Sequence, residues 1–462
     1  MEQTTAKKNK YEIDMCNGTI MDKLISFSLP LMLSGILQLM FNAVDIIVVG
    51  RFSGSQALAA VGSTSALINV FTNLFIGISL GANVLTARFY AAGREKEVSE
   101  TVHTAITLAL VSGIVMALVG LVFSKGALAL MGTPDDVIGL SALYMRIYFL
   151  GMPFFMLYNY GAAILRAVGD TKRPLLFLMI AGVINACLNM VLVIVFKLGV
   201  AGVAIATVIS QMISCVLVLR CLCRSESSYR LRFSELGMKG YYLKQIFSVG
   251  VPAGIQSTVI NFSNVLLQSS VNSFGSTAMA GYTAANNLLG FLYVSVNSIT
   301  QACMSFTSQN YGVGKLKRMD RVLADCMILS VVVAVVLGCI CYGFGPEILQ
   351  IYTEDAEVIA CGMEILAYTT ITYFLCGWMD LFPGALRGMG YSAVPMVLSV
   401  IGTVGTRVVW IFGIFPYHRS LAILFISYPA SWIITIVLQV ICFYFVRRRV
   451  HRRSQALAGQ EG

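Results

Sequence analysis

The sequence predicts an all-helical polytopic membrane protein, with twelve membrane-crossing helices in two pseudo-symmetric six-helix bundles. Three observations predict it. Of 462 residues, 57% are hydrophobic and 12% charged, too little polar side chain to cover a water-soluble globule of this size. The apolar residues gather in runs of roughly 20 or more, the length that crosses a bilayer core, without the sustained alternation of membrane strands. The chain also repeats itself, with landmark residues of its first half recurring about 221 positions later.

The repeat extends over nearly the whole chain. Pro30 recurs as Pro252, Asn42 as Asn264, Tyr90 as Tyr311 and Gly93 as Gly314. Leu165, Arg166, Gly169 and Pro174 keep register with Leu386, Arg387, Gly390 and Pro395. Self-similarity on this scale is architecture rather than a local motif. Each copy holds six apolar runs, and an even number returns the chain to its starting side. The copies are therefore expected to be parallel repeats about an axis along the membrane normal.

In order, the spans are expected near 24–49, 57–82, 101–123, 137–164, 174–196 and 200–222, then near 246–271, 278–304, 322–344, 358–386, 394–415 and 420–445. The predicted organisation is a cytoplasmic tail over 1–20, an N-lobe over 21–223, an inter-lobe linker over 224–243, a C-lobe over 244–446 and a basic tail over 447–462. The linker is the longest polar stretch between helices. No cleavable signal is expected, because the N-terminus is polar and its first apolar run begins late and runs long. Pro30 and Pro252 lie near the starts of their helices, and Pro153, Pro383 and Pro429 lie inside apolar runs. Each removes an intrahelical hydrogen bond and permits a bend.

The net charge of +10 is a topology signal rather than a nucleic-acid footprint. With both termini inside, the inner side collects Lys7, Lys8, Lys10 and Lys23, then Arg88, Arg94 and Lys96, Arg166, Lys172 and Arg173. It continues through Arg220, Arg224, Arg230, Arg232, Lys239 and Lys244 to Lys315, Lys317, Arg318, Arg321 and Arg387, and ends on the Arg447 to Arg453 tail. The outer loops offer Arg51, Lys125, Lys197 and Arg419. This asymmetry puts both termini in the cytoplasm and brings the basic segments to anionic lipid. The twelve cysteines sit mostly singly in apolar runs, as small membrane-helix residues. No metal-ligand array or cofactor motif is present, and Gly312 to Lys315 lacks the spacing of a phosphate loop. An enzyme is not expected.

Polar residues inside the spans carry the functional signal. In the first helix Ser34, Gln38, Asn42 and Asp45 share one face, and Ser257, Asn261, Asn264, Gln268 and Asn272 repeat the pattern in the seventh. In the eighth, Asn286, Gly290, Tyr293, Asn297 and Gln301 have the same period. Unsatisfied amides in hydrocarbon cost several kcal/mol each, so these faces meet either other helices or water. Interhelical bonding is one reading; a water-filled substrate cavity lined by three whole stripes is the other.

Asp45 lies about 8 Å inside the outer end of its helix at 1.5 Å per residue. An ionisable group at that depth is a functional hypothesis by default. It fits a coupling-ion site that gains and loses a proton or cation, with pairing to a buried arginine or simple wetting as the alternative. Asn189 in the fifth helix also falls in the outer half. In the C-lobe, Asp380 occupies the place of Asn159, and Arg407 lies too deep to reach the interface. They are expected either to form a buried charge pair or to mark a second ion or substrate site.

These residues resemble the multidrug and toxic compound extrusion (MATE) transporters over essentially residues 20–446. The resemblance rests on Pro30 followed by Asp45, on the turn from Leu165 and Arg166 through Gly169, Asp170, Lys172 and Arg173 to Pro174, and on the small-residue stretch from Gly199 to Thr207. It is similar to the bacterial branch with an N-lobe Asp, which implies Asp45 as the cation or proton site with Asn159, Asn185, Asn189 and Thr207 around it. One departure is Asn189, where that branch commonly has a second Asp. A single carboxylate suits a proton or weakly held Na+ better than an anionic cage. The seventh-helix Glu of another branch is absent, with Ile260 and Asn261 in its place.

The resemblance implies a monomeric secondary antiporter that expels amphipathic, cationic, drug-like compounds in exchange for H+ or Na+. A flippase or exporter of lipid-linked oligosaccharide or peptidoglycan precursor shares the two-lobe plan, but would be expected to line its cavity with several cationic residues, and Arg407 is the one deep example. The repeat does not extend to the chemistry: Asp45 has Leu267 as its counterpart, Asn189 has Trp410, and Asn159 has Asp380.

Overall fold

The computed structural model describes residues 10–458, in which every long element is helical. Lys7, Lys8 and the last four residues of the basic tail lie outside the described residues, as does the Arg453 side chain. The first repeat forms α1 (Met21–Phe52), α2 (Ser55–Ala91), α3 (Glu95–Leu130), α4 (Asp135–Leu150), α5 (Met152–Ala167), α6 (Lys172–Asn189) and α7 (Gly199–Cys223). The second forms α8 (Gly240–Asn272), α9 (Ser276–Gly312), α10 (Leu316–Gly343), the short α11 (Gly345–Gln350), α12 (Ala356–Thr369) and α13 (Tyr373–Gly388). It closes with α14 (Ala393–Ser399), α15 (Thr406–Val409) and α16 (Leu421–Ala458).

Two runs that read as continuous in the sequence are bent. The run 137–164 breaks between α4 and α5 at 47°, and 358–386 breaks between α12 and α13 at 51°. The causes differ. At the first break Pro153 sits in the opening turn of α5, where its missing N–H is tolerated but the ring prevents a continuous helix. At the second, three threonine hydroxyls bond back to carbonyls one turn earlier, a pattern that bends helices: Thr369 Oγ1 donates to Ile365 O at 2.7 Å, Thr370 to Leu366 O at 2.6 Å and Thr372 to Tyr368 O at 2.8 Å.

Among the described residues eight helices are long and apolar enough to cross a membrane, or up to ten if each bent pair is one span. The helices α8 and α9 are as long, at 33 and 37 residues, but their amide stripes dilute the apolar content. They complete the predicted twelve. Large apolar side chains such as Leu118, Val122 and Phe123 on α3 and Ile328, Val332 and Val336 on α10 are exposed, a surface suited to acyl chains rather than water.

The repeat is visible in the backbone. Left-handed glycines punctuate equivalent turns, with φ of 86° at Gly54 and 102° at Gly275, 69° at Gly93 and 72° at Gly314, and 98° at Gly169 and 92° at Gly390. The φ of these positions is one that side-chain-bearing residues avoid. A π-helical segment follows α6 at Met190–Val195, and one recurs at Trp410–Ile414 after α15; another, Val400–Gly405, joins α14 to α15. Helix neighbours recur as well. α2 packs on α4 and α5, and α9 on α12 and α13; α7 packs on α4, α5 and α6, and α16 on α12, α13, α14 and α15.

The chain forms two compact units, one made of the residues up to Ile13 with Leu33–Gly254, the other of Asp14–Met32 with Ile255 onward. Both α1 and α8 change unit two residues after a proline, Pro30 or Pro252. In the N-terminal unit small residues bring backbones together. A Cβ at Gly113 of α3 would lie 2.4 Å from Pro153 Cα, and one at Gly81 of α2 would lie 2.1 Å from Ile246 O of α8. The stretch between α7 and α8 is bound to α3: Arg232 N donates to His103 Nε2 at 3.0 Å and Lys239 N to Thr104 Oγ1 at 3.3 Å. Its Tyr229 is fully buried and donates to Glu12 at 2.7 Å, as Tyr90 does at 2.8 Å. In the C-terminal unit Phe27 of α1 meets Phe306 of α9 edge-on at 5.6 Å.

Candidate functional site

Three helices of the N-terminal unit converge on Asp45. α1 supplies the carboxylate. Asn185 and Asn189, one turn apart, share a face at the end of α6, and Thr207 and Ser210 come from α7. Asn189 is wholly buried, and its Nδ2 donates both to Asp45 Oδ1 and, at 3.1 Å, to Asn185 Oδ1. The Thr207 hydroxyl lies beside the Asp45 carboxylate and acts on it electrostatically, while donating its proton to Val203 O at 3.0 Å. Asn185 Nδ2 reaches Ser210 Oγ at 3.5 Å, the outer limit of a hydrogen bond. The phenols of Tyr144 and Tyr148 on α4 stand within electrostatic reach of Asp45, their rings stacked 6.1 Å apart.

One atom of this cluster is unspent. Asn189 Oδ1 is buried and has no donor among the described residues. A buried acceptor without a partner is uncommon enough to need a reason, and here it adjoins the carboxylate. Asn189 is also the last residue of α6 before the π-helical segment; such local changes of pitch recur at functional sites.

Asn159, expected in this cluster, bonds elsewhere: its Nδ2 donates to Phe155 O of its own helix at 2.8 Å. Among the stripe residues Gln38, Asn42, Asn261 and Tyr293 are exposed, whereas Asn264, Gln268, Asn286, Asn297 and Gln301 are half-buried. Gln301 Nε2 donates to Asn297 Oδ1 at 3.0 Å along α9.

The expected Asp380–Arg407 pair does not form. Arg407, 3% exposed, donates through Nη1 to Asn264 Oδ1 at 2.7 Å and to Ser263 Oγ at 3.2 Å. Its guanidinium lies 4.7 Å from the centre of the Tyr428 ring. The charge acting on Asp380 is that of Arg387, two turns further along α13, whose Nη2 donates to Gln256 Oε1 at 2.6 Å. Seven residues is the spacing at which one helix brings two side chains to the same face, so Asp380 had a guanidinium in its own helix.

Ser210, Ser263, Gln256 and Tyr428 therefore belong to these clusters without having been singled out from the sequence, and Arg387, read there as a repeat landmark and an inner-side charge, joins them. Ser210 follows Thr207 by three residues on one helix, and Tyr428 is Thr207 displaced by the repeat, so both carried a signal. Ser263 and Gln256 did not, since isolated polar residues on α8 look alike until their partners are placed.

The MatE family model matches residues 30–191 and again 252–412, the two copies of the repeat. The chain is 32% identical over 434 residues to the "Probable multidrug resistance protein YoeA" of Bacillus subtilis (strain 168), covering 92% of this chain and 93% of that protein. It is 22% identical over 382 residues to the multidrug export protein MepA of Staphylococcus aureus (strain NCTC 8325 / PS 47), covering 82% and 84%. In fold it is similar to a multidrug resistance MATE family transporter of the MOP superfamily solved in an outward-facing conformation, with a TM-score of 0.87 at 19% identity over 97% of this chain and 99% of that one. A MATE structure in complex with MaL6 gives a TM-score of 0.88 at 19% identity over 96% and 99%. With the helical repeat, the membrane-spanning composition and these matches in agreement, the chain belongs to the MATE family of membrane transporters.

Proposed function

We propose that this protein is a multidrug exporter of the bacterial cell membrane, a monomer with both termini cytoplasmic, that expels amphipathic cationic compounds in exchange for H+ or Na+ taken at Asp45. The multidrug export names of its relatives support the class of cargo. The observation that carries the exchange is the unspent Asn189 Oδ1 beside the carboxylate.

The chemistry follows from the two ends of one amide. With Asp45 ionised, Asn189 Nδ2–H donates to it. With Asp45 protonated, the new O–H needs an acceptor, and turning the amide over presents Oδ1. For Na+ the same oxygen joins the carboxylate and the Thr207 hydroxyl as a hard ligand. Either ion cancels the one negative charge of the cluster. Exchange results when the ion and the cargo favour opposite conformations, because each can shift the equilibrium only by its differential affinity. Anionic lipid meets the basic cytoplasmic segments.

Reconstituted vesicles test this directly. A cationic dye should be moved uphill when a pH gradient or a sodium gradient alone is imposed, with saturable kinetics. Dye that moves only downhill would make the protein a channel and overturn the proposal.

A further inference from the structure

We infer that the cluster around Arg407 in the C-terminal unit is a binding site for a monovalent anion, a halide or a carboxylate group. A guanidinium does not lose its proton in a protein, so a buried one keeps its charge and needs compensation. Arg407 is almost fully buried, and the compensation supplied by the protein is neutral throughout: one amide oxygen, one serine hydroxyl and one aromatic face. Among the described residues the other groups acting on it are Tyr282, Tyr373 and Cys376. None is a carboxylate.

The same unit shows what internal neutralisation looks like. Arg387, equally placed inside a helix, has Asp380 on its own helix and Gln256 as an acceptor. Both guanidiniums have a buried Nε–H without an acceptor among the described residues, but Arg407 has no such carboxylate acting on it. A second donor is available nearby. The hydroxyls of Tyr282 and Tyr428 are 2.9 Å apart and share one hydrogen bond, which uses one of their two protons and leaves the other to give. A site offering a fixed positive charge, an unspent N–H and a spare O–H is complementary to an anion.

Access runs along α8. Asn264, which holds Arg407, is half-buried, and Asn261 one turn before it is exposed. The proposed route of entry therefore follows the polar stripe of that helix rather than the apolar surface. A halide from solution or the carboxylate of a zwitterionic cargo offers the same charge and acceptor chemistry.

The test needs no ion gradient, so it does not depend on exchange at Asp45. All three tryptophans, Trp378, Trp410 and Trp432, lie in this unit, and the Trp432 ring is 5.8 Å from that of Tyr428. Bromide added to the purified protein in nanodiscs should quench this fluorescence saturably. Chloride and benzoate should each reverse the quenching, and their relative potency tells a halide site from a carboxylate site. Arg407→Gln should weaken bromide about ten- to hundredfold, the scale of one charge-assisted hydrogen bond. Asn264→Asp places a carboxylate against the guanidinium. It should leave the protein folded and as heat-stable as the parent while abolishing saturable quenching. Quenching that is linear in bromide in the parent, or that stays saturable with unchanged midpoint in Asn264→Asp, would overturn the inference.

Discussion

In the N-terminal unit, α1, α6 and α7 gather around Asp45; in the C-terminal unit, α8, α15 and α16 gather around Arg407. The two sets of helices are counterparts in the repeat, and the side chains correspond position by position. Thr207, which acts on Asp45, stands where Tyr428 lies against Arg407. Ala186, between the two asparagines of the first cluster, is the counterpart of Arg407 itself, and Asp45 is the counterpart of Leu267. The scaffold has been kept and its charge inverted. One unit presents a carboxylate with an unspent acceptor, the other a guanidinium with an unspent donor. Duplicated backbone fixes where helices meet, and a few side chains then decide which sign of ion the meeting point can hold.

The most severe way to break the comparison is to force the N-terminal chemistry onto the C-terminal unit. Leu267 is 1% exposed within the apolar core of that unit. Leu267→Asp would bury a carboxylate there at a cost of several kcal/mol, and the expected outcome is loss of monodisperse protein on size-exclusion chromatography. Next comes Asn189→Ala, which leaves Asp45 in place and removes the amide that reads it. Partners that orient an ion-binding group are worth about 10- to 100-fold in affinity or activity, so gradient-driven dye transport should fall by that factor. Asn189→Asp should instead shift the exchange toward Na+, since two carboxylates favour a metal cation over a shared proton.

Smaller effects test the scaffold. Gly113→Ala sets a methyl 2.4 Å from Pro153 Cα and should destabilise by about 1–3 kcal/mol, read as a lower melting temperature in detergent. Its repeat counterpart is already Ala334, 1% exposed, so the second unit accommodates the group that the first excludes. Gly62→Ala meets no heavy atom within 4 Å and should stabilise by about 0.5–1 kcal/mol through helix propensity alone.

Fold and site were unequally legible. The twelve helices, the repeat and the carboxylate in α1 follow from apolar run length, residue spacing and the rarity of charge in hydrocarbon, all one-dimensional signals. The break between α12 and α13 was not legible, because it rests on three threonines whose hydroxyls can equally sit in a straight helix. The partner of Arg407 was misjudged for a related reason. Two opposite charges within 27 residues of each other on neighbouring spans suggest a pair, but Asp380 already has Arg387 on its own helix, and Asn264 of α8 reaches Arg407 first. Asn159, which the resemblance implied beside Asp45, has one amide N–H bonded to Phe155 O of its own helix.

The central claim is that the carboxylate of the first cluster, and not merely the polar surface of the helices, drives exchange. Vesicles containing Asp45→Asn, isosteric and still able to bond Asn189, measure it most directly when a pH gradient is imposed on one sample and a sodium gradient on another. The account predicts dye transport no faster than in protein-free vesicles under both gradients, with saturable bromide quenching at the parent midpoint. Gradient-driven transport at the parent rate would contradict it.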